Sequence, residues 1–253
     1  VSSDTKPQKI PKERIDKILI DRGLVSTRAR AQAMILAGHV LVDETPVTKA
    51  GEKIALDRTI RLREPELKYV SRGALKLKGA LEHFGLTAEN KIGLDVGSST
   101  GGFTEVLLET GAKKVYAIDV GTNQLAWKIR NDPRVISREN CNARYLEPAD
   151  FEPKPSIFVM DVSFISIKLI LPSVAKLLEP NSTCIVLFKP QFELGREWIG
   201  EGGIVKDQVR AKLVLSETLE WAKEYHFCDA QVIDSPIQGT DGNHEYLIYW
   251  VKR

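Results

Sequence analysis

The sequence is poor in sulfur: three Cys and two Met in 253 residues. Cys141, Cys184 and Cys228 are odd in number and lie about forty residues apart, which excludes a disulfide framework and offers no metal-ligand spacing. His226 and His244 have no partners at ligand spacing either, so no metal is expected and a reducing cytoplasm fits best. No apolar run approaches the ~18 residues of a membrane span. Val1 to Arg14 is polar and interrupted by Pro7 and Pro11, without the apolar core of a signal peptide, so no stable membrane association is expected. A large charge excess is missing too, the net being +2, while 43% hydrophobic content rules out wholesale disorder. What remains is a globular protein of one or two domains.

The small net charge hides an asymmetry. Residues 1–63 hold 13 Lys and Arg against 8 Asp and Glu; the rest holds 23 against 26. A basic segment thus precedes a mildly acidic body, a distribution suited to a polyanion-binding front end. After a leader over 1–11, Ile15, Ile18 and Leu19 fall at helical spacing. Ser26 is the expected N-cap of a second helix over 27–36, closed by Gly38, and Val40, Val42 and Val47 alternate around a turn at Asp43-Glu44. Two helices and a hairpin, with Arg28 and Arg30 at the second helix's positive end and Lys49 beyond the hairpin, could present cations to phosphates. The stretch RIDKILIDRGLVSTRARAQAMILAGHVLVDETPV, positions 14–47, resembles the alpha-L RNA-binding module, which implies a domain over 12–63 that binds structured RNA.

Residues 64–70 carry Pro65 and no helical period, and read as a linker. Over 71–253 predicted helices and strands alternate: a helix from Ser71 to Phe84, strands at 92–96, 115–120, 135–137, 156–162 and 184–188, helices at 167–178 and 208–225, and β-like runs at 230–233 and 246–251. Such alternation predicts an α/β fold with a mostly parallel, doubly wound, Rossmann-like sheet.

The most informative stretch is LDVGSSTGGFTEVLLETG, positions 94–111, where an apolar strand enters a glycine-rich turn and then a helix. Ligands of open α/β sheets sit at such a turn, beyond the carboxyl ends of the strands. The dinucleotide fingerprint needs Gly where this chain has Ser99, and no Lys-Ser or Lys-Thr follows for a Walker loop. S-adenosylmethionine has no phosphate to cradle. Its expected contacts are the turn, Gly97, Ser99, Thr100, Gly101, Gly102 and Phe103, with Asp95 facing the ammonium group, Asp119 the ribose hydroxyls and Asn142 the adenine edge.

The body resembles the FtsJ-type RNA ribose methyltransferases, and the alpha-L module followed by YVSRGALKL, positions 69–77, is closely similar to the TlyA family, whose members are often labelled hemolysins. The resemblance spans about residues 12–253. It implies S-adenosylmethionine-dependent 2′-O-methylation of ribosomal RNA, cytidine being the expected nucleotide, with ribosomal RNA or ribosomal subunits as partners. It also implies a catalytic set of Lys76 in SRGALKL, Asp161 in FVMDVSFIS, Lys189 in IVLFKPQFE and Glu245 in GNHEYLIYW. A ribose hydroxyl is a weak acid and must lose its proton as it attacks a methyl carbon, so a base is needed. Lys189 is the expected base, favoured by burial and by Lys76 as a second cation. Asp161 would orient it beside the methyl donor and also contact the cofactor, while Glu245 and Lys76 would position the ribose. Arg72 joins Arg28, Arg30 and Lys49 as an expected RNA contact. The glycine-rich stretch 195–203 reads either as a flap, with Trp198 available for base stacking, or as a loose surface loop. Two rival readings are a membrane-active hemolysin, for which no apolar hairpin or strongly amphipathic helix is found, and an inert RNA-binding assembly factor.

Overall fold

The computed structural model describes residues 10–63, 68–239 and 242–253. Positions 1–9 of the expected leader and 64–67 of the expected linker lie outside them. The chain divides into two compact units, Val1–Lys68 and Tyr69–Arg253.

The first unit runs β1 (Lys12–Arg14), α1 (Ile15–Asp21), α2 (Arg28–Leu36), β2 (Val40–Val42), β3 (Thr45–Pro46), β4 (Lys53–Ala55) and β5 (Ile60–Leu62). Its core joins Ile15, Ile18 and Leu19 of α1 to Ala31 and Ile35 of α2 and Val40 of β2. The helix-capping residue is Thr27, not Ser26: Thr27 is extended and its Oγ1 accepts from the Arg30 N–H at 3.2 Å. The β2–β3 hairpin turns at Asp43 and Glu44, whose φ angles of 47° and 67° are the two left-handed residues that a tight hairpin of this twist needs. β1 pairs with β4 and β2 with β5, both antiparallel. These three-residue partner strands escape sequence reading because they are too short to show an alternation.

The second unit contains α3 (Gly73–Phe84), β6 (Ile92–Val96), α4 (Gly102–Glu109), β7 (Lys114–Ile118), α5 (Trp127–Arg130), β8 (Val135–Arg138), β9 (Ile157–Met160), α6 (Leu171–Val174), β10 (Ser182–Phe188), α7 (Pro190–Glu193), α8 (Gln208–Ala222), β11 (Phe227–Asp234) and β12 (Tyr246–Lys252). The helix expected over 167–178 is broken into a 3₁₀ turn, Ile167–Leu169, and the short α6. Pro172, which lacks an N–H, sits in the first turn of α6 and fixes where that helix starts.

One seven-stranded sheet has the order β11-β12-β10-β9-β6-β7-β8. β6 to β10 are mutually parallel, and β12 inserts antiparallel between β10 and β11. Alternation along each strand supplies two apolar faces. Leu94, Val96, Phe158, Met160 and Trp250 pack with α6 and α8. Ala117, Val159 and Leu187 pack with α3 and α4 on the other side. From β6 the chain winds outward through β7 and β8, then returns to place β9 on β6's opposite side. The order therefore reverses between β6 and β9, where the Asp161 N–H donates to the Val96 carbonyl at 3.1 Å.

Candidate active site

The glycine turn leaves β6 at this reversal, the place where open α/β sheets bind their ligands. Gly97 has φ +83°, and a Cβ there would stand 2.2 Å from the Asp161 carbonyl oxygen, so the close approach of the two strand ends requires glycine. A Cβ on Gly102 would come within 2.2 Å of the Ser71 Oγ, which locks the start of α4 against the entry to α3. Ser99 takes a left-handed conformation, φ 46°, and its N–H donates to Asp119 Oδ2 at 2.7 Å. The other Asp119 oxygen accepts from the Gly121 N–H at 2.7 Å. Each carboxylate oxygen thus keeps lone-pair capacity for a further donor.

Two cavities flank the turn and share Gly97, Ser99, Asp161 and Ser163. One, of about 360 Å³, extends past Asp119 and Gln124 to Cys141 and Asn142. The other, of about 410 Å³, is bounded by Arg72, Lys76, Phe103, Lys189 and Glu245, with Thr100 and Gly102 also in its wall.

In the second cavity the four residues Lys76, Asp161, Lys189 and Glu245 meet as two ion pairs. Lys76 Nζ donates to Glu245 Oε2 at 2.5 Å, both groups buried, across 169 positions of sequence. Lys189 Nζ pairs with Asp161 Oδ1 at 2.6 Å and donates to Ser163 Oγ at 3.0 Å. Topology explains the convergence. Asp161 and Lys189 follow parallel neighbours, β9 and β10, so both emerge at the carboxyl edge. β12 runs the other way with Tyr246 opposite Phe188, which brings its leading residue, Glu245, to the same edge. Lys76, expected as a second cation for Lys189, shares its cavity but is paired with Glu245, and the groups bonded to the Lys189 amine are Asp161 and Ser163.

Asp95 is a second correction. Side chains alternate along β6, sending Leu94 and Val96 to one face and Asp95 to the face under α4, where its Oδ2 accepts from Thr104 Oγ1 at 2.6 Å. It is fully buried and lines neither cavity, so it does not face a cofactor ammonium; Oδ1 has no partner. Burial, with some help from Asp161 and Asp119, pushes its pKa up to about 7. Gly101 also lines neither cavity and instead caps α4 at φ +96°. Asn142 lines the first cavity while its Oδ1 accepts from the Arg144 N–H at 3.1 Å. Among the described residues, none of 195–206 lines either cavity, Trp198 included. That stretch is tied down by the buried Asn243, which accepts from Val205 N–H at 3.0 Å and donates to the Gly203 carbonyl at 2.9 Å.

Sequence reading passed over Ser163 and Phe164, which lie on the segment leaving β9 just after Asp161 and touch Lys189 and Phe192 of the segment leaving β10. Phe164 is 91% exposed at φ 63°, and its ring lies against Phe192 with centroids 5.1 Å apart. Their signal was present in the DVSF stretch, directly after a strand-end aspartate.

The site fits S-adenosylmethionine. Asp119 and Asp161 directly follow β7 and β9, Asp119 accepting from the Ser99 and Gly121 N–H groups and Asp161 pairing with Lys189. A corner with surplus carboxylate suits a cofactor that carries an ammonium and a sulfonium, and repels a pyrophosphate.

Of the expected RNA contacts, Arg72 lines the cavity that holds the two ion pairs. In the first unit Arg30 and Lys49 are exposed. Arg28 is partly committed elsewhere, its Nε donating to the buried Asp16 at 3.1 Å. Among the described residues no helix is long and apolar enough to cross a membrane.

Comparison with known proteins agrees with this geometry. Residues 69–252 match the FtsJ-like methyltransferase family and residues 13–60 the S4 domain. The chain is 42% identical to the Mycobacterium tuberculosis 16S/23S rRNA (cytidine-2′-O)-methyltransferase TlyA over 93% of its own length and 88% of that protein's. It is 43% identical to Hemolysin A of Brachyspira hyodysenteriae, over 94% and 99% respectively. A solved Streptococcus thermophilus structure carrying the hemolysin label superposes with a TM-score of 0.74 at 47% identity, covering 96% of this chain and 90% of that one. The chain therefore belongs to the TlyA family of FtsJ-like, S-adenosylmethionine-dependent methyltransferases, with an S4 domain ahead of the catalytic one.

Proposed function

We propose that this enzyme methylates the 2′-oxygen of a ribose, that of a cytidine, in ribosomal RNA, free or within ribosomal subunits, in the cytoplasm. The observation that carries this reading is the meeting of two lysine–carboxylate pairs in one cavity that opens onto the glycine turn. When bound, S-adenosylmethionine supplies a methyl group on a sulfonium, whose loss leaves a neutral thioether. Gly97, Ser99 and Thr100 hold its methionyl end, the spare lone pairs of Asp119 take its ribose hydroxyls, and Asn142 borders its base. In its neutral form Lys189 donates its two N–H bonds to Asp161 and Ser163, its lone pair receives the proton of the RNA 2′-hydroxyl as the new O–C bond forms and the S–C bond breaks, and Asp161 keeps that amine at the boundary of the two cavities. The Lys76–Glu245 pair offers a donor and an acceptor to the remaining hydroxyls of the target ribose. The S4 unit, which we place over 12–63 with a linker at 64–70, holds structured RNA through Arg30 and Lys49, with Arg72 guiding the backbone into the catalytic cavity.

The test is incubation of small subunits, large subunits and whole ribosomes with labelled cofactor, followed by mapping of the modified nucleotide. Lys189→Ala is expected to slow transfer by about 10² to 10⁴-fold with cofactor affinity unchanged. Turnover equal to the unmodified enzyme would remove the lysine-base mechanism, and label on a nucleobase would remove the ribose assignment.

A further inference from the structure

The segments that leave β9 and β10 grip each other along their length. Lys189 holds Asp161 and Ser163, the Phe192 ring meets the Phe164 ring, and Glu193 accepts from Ser166 Oγ at 2.6 Å and from the Ile167 N–H at 2.8 Å. Glu193 is partly buried and bonds twice across the two segments, so this clasp is anchored at the end remote from the amine. At the near end the Lys189 amine meets two protein acceptors, a carboxylate and a hydroxyl. A lysine nitrogen has three positions besides its carbon. With two taken, a single direction remains, and all three residues line the catalytic cavity.

We infer that Ser163 is a positioning residue: its hydroxyl fixes the orientation of the Lys189 amine so that the one free direction meets the target hydroxyl. The inference rests on the lysine-base reading above. Asp161 alone leaves the amine free to swing about the Nζ–carboxylate contact, with two positions exchanging at the cavity. Ser163 removes that freedom, and because its oxygen accepts one bond from the amine, its own O–H stays available to donate into either cavity. Methyl transfer itself is unchanged by this: the ribose proton goes to Nζ, and Ser163 neither gains nor loses a proton.

Ser163→Ala is the test, with Ser163→Thr as the conservative variant that keeps the hydroxyl. For Ser163→Ala, single-turnover transfer should fall about tenfold or more with KM for RNA and cofactor affinity unaltered, and the acid limb of the pH–rate profile should move to lower pH because the ammonium has lost an acceptor. Ser163→Thr should recover most of the rate. A second readout needs no RNA: competitive labelling with acetic anhydride at fixed pH should find Lys189 several-fold more reactive in Ser163→Ala and unchanged in Ser163→Thr. Unmoved labelling and an unmoved pH profile would overturn the positioning role, as would a loss carried wholly by KM. If no ribosomal RNA is methylated by the unmodified enzyme, the function assignment fails, while the labelling experiment still decides whether Ser163 orders the amine.

Discussion

Asp16 and Asp95 are both fully buried, one in each unit, and they are held in opposite ways. Arg14 grips Asp16 with a two-bond fork, Nε at 3.0 Å and Nη2 at 2.9 Å, and Arg28 and Gln32 add bonds at 3.1 and 3.4 Å. The Arg14 guanidinium, followed by Arg28 and Gln32, holds this carboxyl well below the usual carboxylate range despite its burial. Asp95 has one neutral partner, Thr104, and two carboxylates as electrostatic neighbours, so burial drives it the other way, up to about 7. The first arrangement is complete in the folded chain. The second has no cation paired with it and sits under α4 with a hydroxyl as its hydrogen-bond donor.

The contrast can be broken most severely by making a compensated carboxylate in the catalytic unit resemble Asp95. Lys76→Met strands Glu245, 4% exposed, without its cation, and should cost about 3 to 5 kcal/mol in urea unfolding as well as abolish transfer. A loss under 1 kcal/mol would mean that the pair is solvated in solution.

Asp95→Asn should act through pH. In the folded unit Asp95 keeps its proton up to about 7, whereas an unfolded aspartate releases it near 3.9. Between those values the native state binds the extra proton, so the Asp95 contribution declines as pH rises from ~4 to ~7, by a few kcal/mol at most. Melting curves of Asp95→Asn should lack that decline, and parallel curves for the two proteins would place the proton elsewhere.

Asp16 carries the opposite slope. Its folded value lies below the unfolded one, so its contribution is full above pH ~4 and is lost as pH falls further. Asp16→Asn should therefore destabilise the S4 unit by about 1 to 3 kcal/mol at neutral pH and by progressively less in acid. Differential scanning calorimetry across pH reads both effects, and a penalty that grows in acid would contradict the ion cluster. Thr27→Ala sharpens the comparison as a control: it removes an exposed helix cap for about 1 kcal/mol with no pH dependence, because no titrating group is involved.

What the sequence made legible follows from how local each signal is. The glycine turn after β6 is readable because an apolar run ending in small residues marks where a strand stops, whereas Asp161 and Lys189 stand out through the resemblance to the FtsJ-type enzymes, the apolar runs before them showing only that strands end there. The short β1, β4 and β5 carry no such signal. Pro172 could have warned that the helix expected over 167–178 would start late. Pairing was the larger gap: nothing local says that Lys76 belongs to Glu245 and not beside Lys189, since that choice is made by β12 entering the sheet antiparallel. Asp95 was misjudged for a related reason, because sequence position at a strand end does not say which face the side chain takes. Ser163 was missed because a serine after a strand is ordinary until a lysine from the next strand is seen to reach it.

The placement of β12 between β10 and β11 also sets the order in which the molecule can become an enzyme. Synthesis delivers the Lys76 amine first and its carboxylate counterpart 169 positions later, so the ammonium lacks this counterion until β12 joins the sheet. Neutralisation of that amine therefore waits on the antiparallel docking of β12 along β10.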